Sequence, residues 1–296
     1  MQDDEEPITA ATIHRRALAW LRADPRRLLA ALLVAMALPL ALLLPLAPRV
    51  DEGVLPPLPP LEITPLPDFT RIDDVTTKKA AFFGYLLPMI EAHNARLRVL
   101  RAELEAIRGR LAAGETLEPE TAADVRALKT RYRVPLPEDE PLDVAALDRL
   151  LRRVDVLPPS LVLAQAATES AWGTSRFARR ANNLFGEWCF TEGCGLVPAR
   201  RAEGARHEVE EFDSVYASID SYFRNLNSHP AYAGVRARRA EARRSGAAIR
   251  GAELAAGLTR YSERGQAYVD ELRAIMRVND LDEYDLLPGA RTAMAG

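Results

Sequence analysis

From Lys78 to Leu111 apolar side chains return every three or four positions, at Phe82, Leu86, Ile90, Leu97, Leu100, Leu104, Ile107 and Leu111. That spacing predicts a long amphipathic helix, kinked or broken at Pro88. Gly114 to Pro119 reads as a loop and Pro119 to Arg131 as a second helix. Asp143 caps a third helix that runs through Leu147, Leu150 and Leu151 to Val154. No heptad is sustained, so these helices are scaffold rather than coiled coil. The next helix starts at Pro158-Pro159-Ser160, stays apolar for two turns and stops at Gly173. Ser175 to Arg180 reads as a turn or short helix. Glu187 to Phe212 is the one stretch that resembles strand and loop, with Glu203-Gly204 as a hairpin turn before His207 to Phe212, which alternates like a strand. Helical spacing resumes from Ser214 through Ile219, Tyr222, Phe223 and Leu226, then over Ala247 to Leu258 and Gln266 to Val278. Residues past Asp280 read as a tail. The expected class is mainly α with one small β element.

The N-terminal fifth of the chain follows a different pattern. Leu28 to Pro48 carries no charge, and about 20 residues of helix, roughly 30 Å, span a bilayer. Arg15, Arg16, Arg22, Arg26 and Arg27 precede it, which by the positive-inside rule predicts a cytoplasmic N-terminus and a periplasmic bulk. A cleaved signal peptide is the rival reading; the long segment before the apolar run and Pro48 directly after Ala47 favour an uncleaved single-pass inner-membrane anchor. The prolines from Pro48 to Pro67 then predict a polyproline tether, about 3 Å per residue, that lifts a domain off the membrane. The expected divisions are residues 1–27 cytoplasmic, 28–48 transmembrane, 49–70 linker, 71–155 a helical N-terminal part, 156–280 a catalytic domain and 281–296 a tail.

Composition narrows the function. Net charge is -3, so no general basic field points to nucleic acid. The basic residues are almost all arginine, which reads as compositional bias. The four histidines are scattered, the two cysteines share one loop, and neither a phosphate-binding nor a dinucleotide-binding glycine pattern occurs. No metal and no cofactor are expected. Cys189 and Cys194 enclose Phe-Thr-Glu-Gly, and a position beyond the membrane favours a disulfide over two buried thiols.

One residue demands an explanation. Glu169 is the single acid in the helix opened by Pro158, among Ala, Leu and Val, and such a carboxylate is costly to bury unless paired or used. Gln165, Glu169 and Trp172 fall at i, i+4 and i+7 and are expected on one face. A carboxyl kept protonated by apolar surroundings can protonate a glycosidic oxygen. Trp172, Phe185 and Trp188 are the nearby aromatics that could exclude water and stack on sugar rings. A structural carboxyl serving a buried polar group accounts for Glu169 equally well at this level.

The string A-Q-A-A-T-E-S-A-W-G-T-S followed by N-N-L-F-G resembles the N-acetylglucosaminidases of glycoside hydrolase family 73, which act on peptidoglycan. The segments W-C-F-T-E-G-C-G-L-V-P, H-E-V-E-E-F-D-S-V-Y-A-S-I and Y-F-R-N-L-N-S-H-P-A-Y-A-G-V-R, with Phe82 to Pro88, are similar more narrowly to the bacterial Bax-type group. The resemblance covers roughly residues 75 to 285. It implies a lysozyme-like helical domain with a small β-hairpin lobe, peptidoglycan glycan strands as partner, and endo-cleavage after N-acetylglucosamine. Glu169 would be the general acid, Asn182, Asn183 and Phe185 would shape the groove, and Tyr261 and Tyr268 would lie near it. The second glutamate that many members carry on the first strand has no clear counterpart, and Glu208 is the choice among Glu192, Glu203, Glu208 and Glu210. Retention, inversion and assistance from the substrate's acetamido group stay open. A lytic transglycosylase or muramidase, and a non-catalytic wall-binding or morphology protein, are the competing functions.

Overall fold

The computed structural model describes residues 55–286 apart from Leu136, Glu138, Asp139, Arg200, Ala202 and Glu203. The expected cytoplasmic segment, membrane anchor and first linker residues lie outside the described residues, as do Glu203 of the expected hairpin turn and residues 287–296. Among the described residues no helix is long and apolar enough to cross a membrane.

The chain is mainly helical with one small sheet. Helix α1, Val75–Ala112, starts where the Asp74 side chain accepts from Thr77 N at 2.7 Å, and it runs unbroken through Pro88. A proline inside a helix costs about 3 kcal/mol. Phe82, Phe83, Leu86, Met89 and Ile90 are all buried around it, each contributing roughly 1.5–3 kcal/mol, so burial holds the helix together. Helix α2, Pro119–Arg131, and α3, Val144–Leu151, follow as expected, the latter capped by Asp143.

The proline-rich stretch does not behave as a free spacer once it reaches Leu55. Leu55 is buried, and Leu58, Leu61 and Leu66 pack against the core. Arg96 Nε donates to the Pro56 carbonyl at 2.5 Å and Tyr85 Oη to the Thr64 carbonyl at 2.7 Å. A polyproline backbone has no internal hydrogen bonds, so its carbonyls accept from α1 while the interleaved leucines bury. Residues 55–67 form a strap on α1.

Helix α4, Pro159–Ser170, is the centre of the molecule: α1, helix α8 (Gly251–Ala255), helix α9 (Gln266–Val278) and a 3-10 helix at Leu281–Asp285 all pack on it. Ten of its 12 residues are buried, as a helix apolar all round requires. It ends at Ser170, three residues before the expected stop, and Ala171, Trp172 and Gly173 are all left-handed with φ of 50, 60 and 74°. Gly173 is obligatory here, since a Cβ would stand 2.6 Å from the Phe69 ring. Of the expected tail, the described residues 281–286 pack on the domain: Leu281 is fully buried, and Asp285 accepts from Ser160 N, Ser160 Oγ and Gly251 N.

Helix α5, Arg176–Ala181, leads to strands β1 (Trp188–Cys189), β2 (Gly195–Leu196) and β3 (Glu208–Glu210), arranged antiparallel in the order β1-β3-β2. Trp188 pairs with Val209 and Leu196 with Val209 from the other side. The expected hairpin is therefore β2-β3 joined by the long connection 197–207, with β1 added on the far edge of β3. Helices α6 (Val215–Ser228) and α7 (Ala233–Ser245) complete the chain before α8, which is shorter than the expected Ala247 to Leu258.

Candidate active site

Glu169 occupies the last turn of α4, part-buried, and Tyr268 of α9 donates to its Oε1 at 2.8 Å. Gln165, one turn earlier and fully buried, donates from Nε2 to the Tyr268 oxygen at 3.0 Å and accepts from Tyr222 Oη of α6. A single chain of hydrogen bonds thus runs from Tyr222 through Gln165 and Tyr268 to the carboxyl. Burial raises the Glu169 carboxyl above its ordinary value; the Tyr268 bond opposes this, Glu271 adds to it and Arg264 opposes it. The Tyr268 phenol is raised as well, by burial and by the neighbouring carboxylate.

The other carboxyl oxygen is approached by backbone. A Cβ on Gly186, which has φ 68°, would stand 3.8 Å from Glu169 Oε2. Gly186 is exposed, so the absent side chain leaves room for a ligand atom at that oxygen.

The turn that carries Gly186 is built by Asn183. Its Nδ2 donates to the Glu187 and Glu210 carbonyls at 2.9 and 2.8 Å, and its Oδ1 accepts from Phe185 N and Glu187 N. Asn182 sits left-handed at the end of α5 and donates to the Phe212 carbonyl at 2.8 Å. The asparagine pair therefore joins helix, turn and sheet and does so with its own side-chain amides.

Several expected contacts are placed differently. Trp172 does not share a face with Gln165 and Glu169, because the left-handed residues turn the chain away; its ring packs edge-on against Phe82 and Phe83 of α1. Phe185 is 2% exposed and stacks on Tyr222 at 4.0 Å, so it belongs to the core beneath the turn rather than to a sugar platform. Tyr261 donates to the Phe185 carbonyl at 3.0 Å and stacks on Tyr268. Trp188 alone of the three expected platforms is open, 56% exposed, with one face on the His207 ring at 4.0 Å.

Glu208, the expected second carboxylate, is buried and accepts from Gly193 N at 3.2 Å and Gly195 N at 2.9 Å. Both oxygens accept from the loop closed by the Cys189–Cys194 disulfide, and the residue is only 6% exposed. The cysteines and Glu208 are the one group of possible metal ligands among the described residues, but the sulfurs are consumed in the disulfide.

A carboxyl not anticipated from the sequence lies nearer the site. Glu187 directly follows Gly186, and its Oε2 is shut away with no hydrogen-bond partner among the described residues. Burial pushes its carboxyl up to about 8, against bonds from Ser221 and Asn225 that lower it and with Glu210 adding to the rise. Tyr222, Tyr232 and Tyr261 feel both Glu169 and Glu187, so the two acids border one tyrosine cluster. The signal in the sequence was its adjacency to N-N-L-F-G.

The glucosaminidase family described as mannosyl-glycoprotein endo-beta-N-acetylglucosaminidase matches residues 144–281, which contain Gln165, Glu169, Asn183, Glu187 and Tyr268. The chain is 33% identical over 214 residues to Protein bax of Escherichia coli (strain K12), covering 72% of this chain and 74% of that protein. It is 29% identical over 131 residues to the Exo-glucosaminidase LytG of Bacillus subtilis (strain 168), 43% of this chain and 46% of that protein. No solved structure matches the chain.

Proposed function

This chain belongs to the glucosaminidase family, as a Bax-type member, and on that premise we propose that it hydrolyses the β-1,4 bond after N-acetylglucosamine within peptidoglycan strands. The observation that carries this reading is the Glu169 carboxyl, raised by burial, bonded to Tyr268 on Oε1 and faced by a bare glycine at Oε2. A general acid must hold its proton until the leaving oxygen arrives, and desolvation provides that. With Oε1 engaged, Oε2 is the oxygen that delivers the proton to the glycosidic oxygen. The carboxylate left behind keeps the Tyr268 bond, which favours the charged form.

The helical body and the three-stranded sheet are read as the two walls of a lysozyme-like groove, with the Trp188 ring as a sugar platform on the sheet side. Glu208 is tied to two backbone amides and Glu187 Oε2 is closed off, so participation of the substrate's own acetamido oxygen is favoured over a protein nucleophile. Peptidoglycan lies outside the cytoplasm. Residues 28–48 are accordingly read as an inner-membrane anchor with the described domain on the periplasmic side, where a disulfide is stable.

The test is to incubate the full chain and its Glu169→Gln variant with peptidoglycan, reduce new ends with borohydride and identify them by mass spectrometry. Reduced N-acetylglucosamine ends within long fragments, lost in the variant, are expected. Release of single sugars would make the enzyme exo-acting, and muramic or anhydromuramic ends would make it a muramidase or transglycosylase. No new ends with wall binding intact would make it a wall-binding protein.

A further inference from the structure

We propose that Gln165 is a positioning residue that fixes the direction of the hydrogen bonds reaching Glu169, and so holds the acid's transferable proton on Oε2. The inference deepens the reading of Glu169 as general acid and rests on it. Gln165 is fully buried one turn before Glu169 on α4. Both arms of its amide are spent on phenols, Oε1 accepting from Tyr222 of α6 and Nε2 donating to Tyr268 of α9.

An amide carries its acceptor and its donors on opposite arms, so whatever fixes one arm fixes the other. Tyr222 is the fixing end. Its ring is fully buried and stacked on Phe185, and its hydroxyl bonds to Gln165 and to no other group among the described residues. With Oε1 toward it, the hydroxyl hydrogen has an acceptor. Turned over, the amide would present Nε2 and leave that buried hydrogen unpaired, a costlier defect than an unused lone pair. Nε2 therefore faces Tyr268, and Tyr268 sends its own hydrogen on to Glu169 Oε1.

The direction counts most when Glu169 is protonated. A carboxylate can only accept, but a neutral carboxyl could donate from Oε1 to Tyr268 and reverse every bond behind it. Tyr222, acting through Gln165, opposes that reversal. The acid's hydrogen is left on Oε2, beside the gap at Gly186, and departs from there to the leaving oxygen with no proton moving along the chain. Gln165 bonds to no charged group among the described residues. The charged groups that act on Glu169 are Glu271 and Arg264, and the adjoining Tyr222, Tyr232 and Tyr261 also feel Glu187.

The test takes the full chain isotopically labelled at its glutamate carboxyls, with the Glu169 NMR signal identified as the one that Glu169→Gln removes. Its titration is followed beside kcat and KM on soluble peptidoglycan fragments. Tyr222→Phe keeps the ring on Phe185 and removes only the fixing hydroxyl. The neutral acid then gains a second arrangement that the carboxylate lacks. The Glu169 titration should move to higher pH, and kcat should fall several-fold with KM unchanged. In a Gln165→Met background the same Tyr222→Phe change should move neither, because the link between the two residues is gone. An unmoved titration in Tyr222→Phe overturns the proposal. So does an equal shift in the Gln165→Met background, which would make Tyr222 a matter of packing. A wild type that cleaves nothing in peptidoglycan would sink the general-acid reading alone, because the carboxyl titration needs no turnover.

Discussion

Tyr268 of α9 gives its phenolic hydrogen to Glu169 of α4 across 99 residues of sequence, at 2.8 Å. The bond favours the ionised carboxyl, while burial favours the protonated one, and burial wins. An acid poised this way is active below its pKa and loses activity as pH rises through it. In Tyr268→Phe the opposing bond is gone, so the alkaline limb of kcat/KM should move to higher pH while the plateau falls roughly tenfold. A pH profile in which the limb stays in place would show that the bond does not tune Glu169.

Glu187 makes the opposite kind of statement about pH. Burial pushes its carboxyl up to about 8 in the folded protein, and unfolding returns it to the ordinary carboxylate value. Stability is therefore complete below the unfolded value and declines as pH rises toward the folded one, since the unfolded state ionises first. Glu187→Gln removes that decline. The variant should match the wild type in unfolding free energy from urea melts near pH 4 and exceed it increasingly up to pH 8, by on the order of a few kcal/mol.

Gly173→Ala places a methyl 2.6 Å from the Phe69 ring at φ 74°. Overpacking and the left-handed backbone each cost about 1–3 kcal/mol, so a lower urea midpoint with unchanged slope is expected. An unaltered midpoint would mean that Phe69 moves aside freely.

The Cys189–Cys194 bridge closes a small loop and should stabilise by about 2 kcal/mol at most. Replacing both cysteines by serine is expected to leave the helical core intact. Hydrogen exchange should quicken at Gly193 and Gly195, whose amides donate to Glu208, and hardly change in α4. Uniform loss of protection would refute a local role for the bridge.

Much of the scaffold was legible because its cues are local. Asp74, Asp143, Ser175 and Ser214 cap the helices that follow them, and the stripe of α1 is the stripe that is buried. Glu169 stood out as one acid in an apolar helix. What escaped depends on contacts distant in sequence or on unusual backbone. Helical spacing puts Trp172 on the Glu169 face, but the helix stops at Ser170, after which two non-glycine residues turn left-handed. Phe185 reads as a platform from the sequence because its burial under Tyr222 comes from a helix some thirty residues on. The leucines of the strap were hidden among prolines whose composition speaks for a spacer. Glu208 stands out in the sequence only by its place in the strand-like stretch, and the fold shows its oxygens accepting from Gly193 and Gly195.

Asp285 closes the first turn of α4 from 125 residues further along the chain, taking Ser160 N and Oγ together with Gly251 N. At about 5–20 residues per second, a ribosome takes roughly 6–25 s to deliver that carboxylate after Ser160 has emerged. Through that interval the central helix has neither its cap nor the cover of Leu281, and its apolar flank is open to chaperones and proteases. Assembly of the domain thus waits on a carboxylate made 125 residues after the helix turn that it caps.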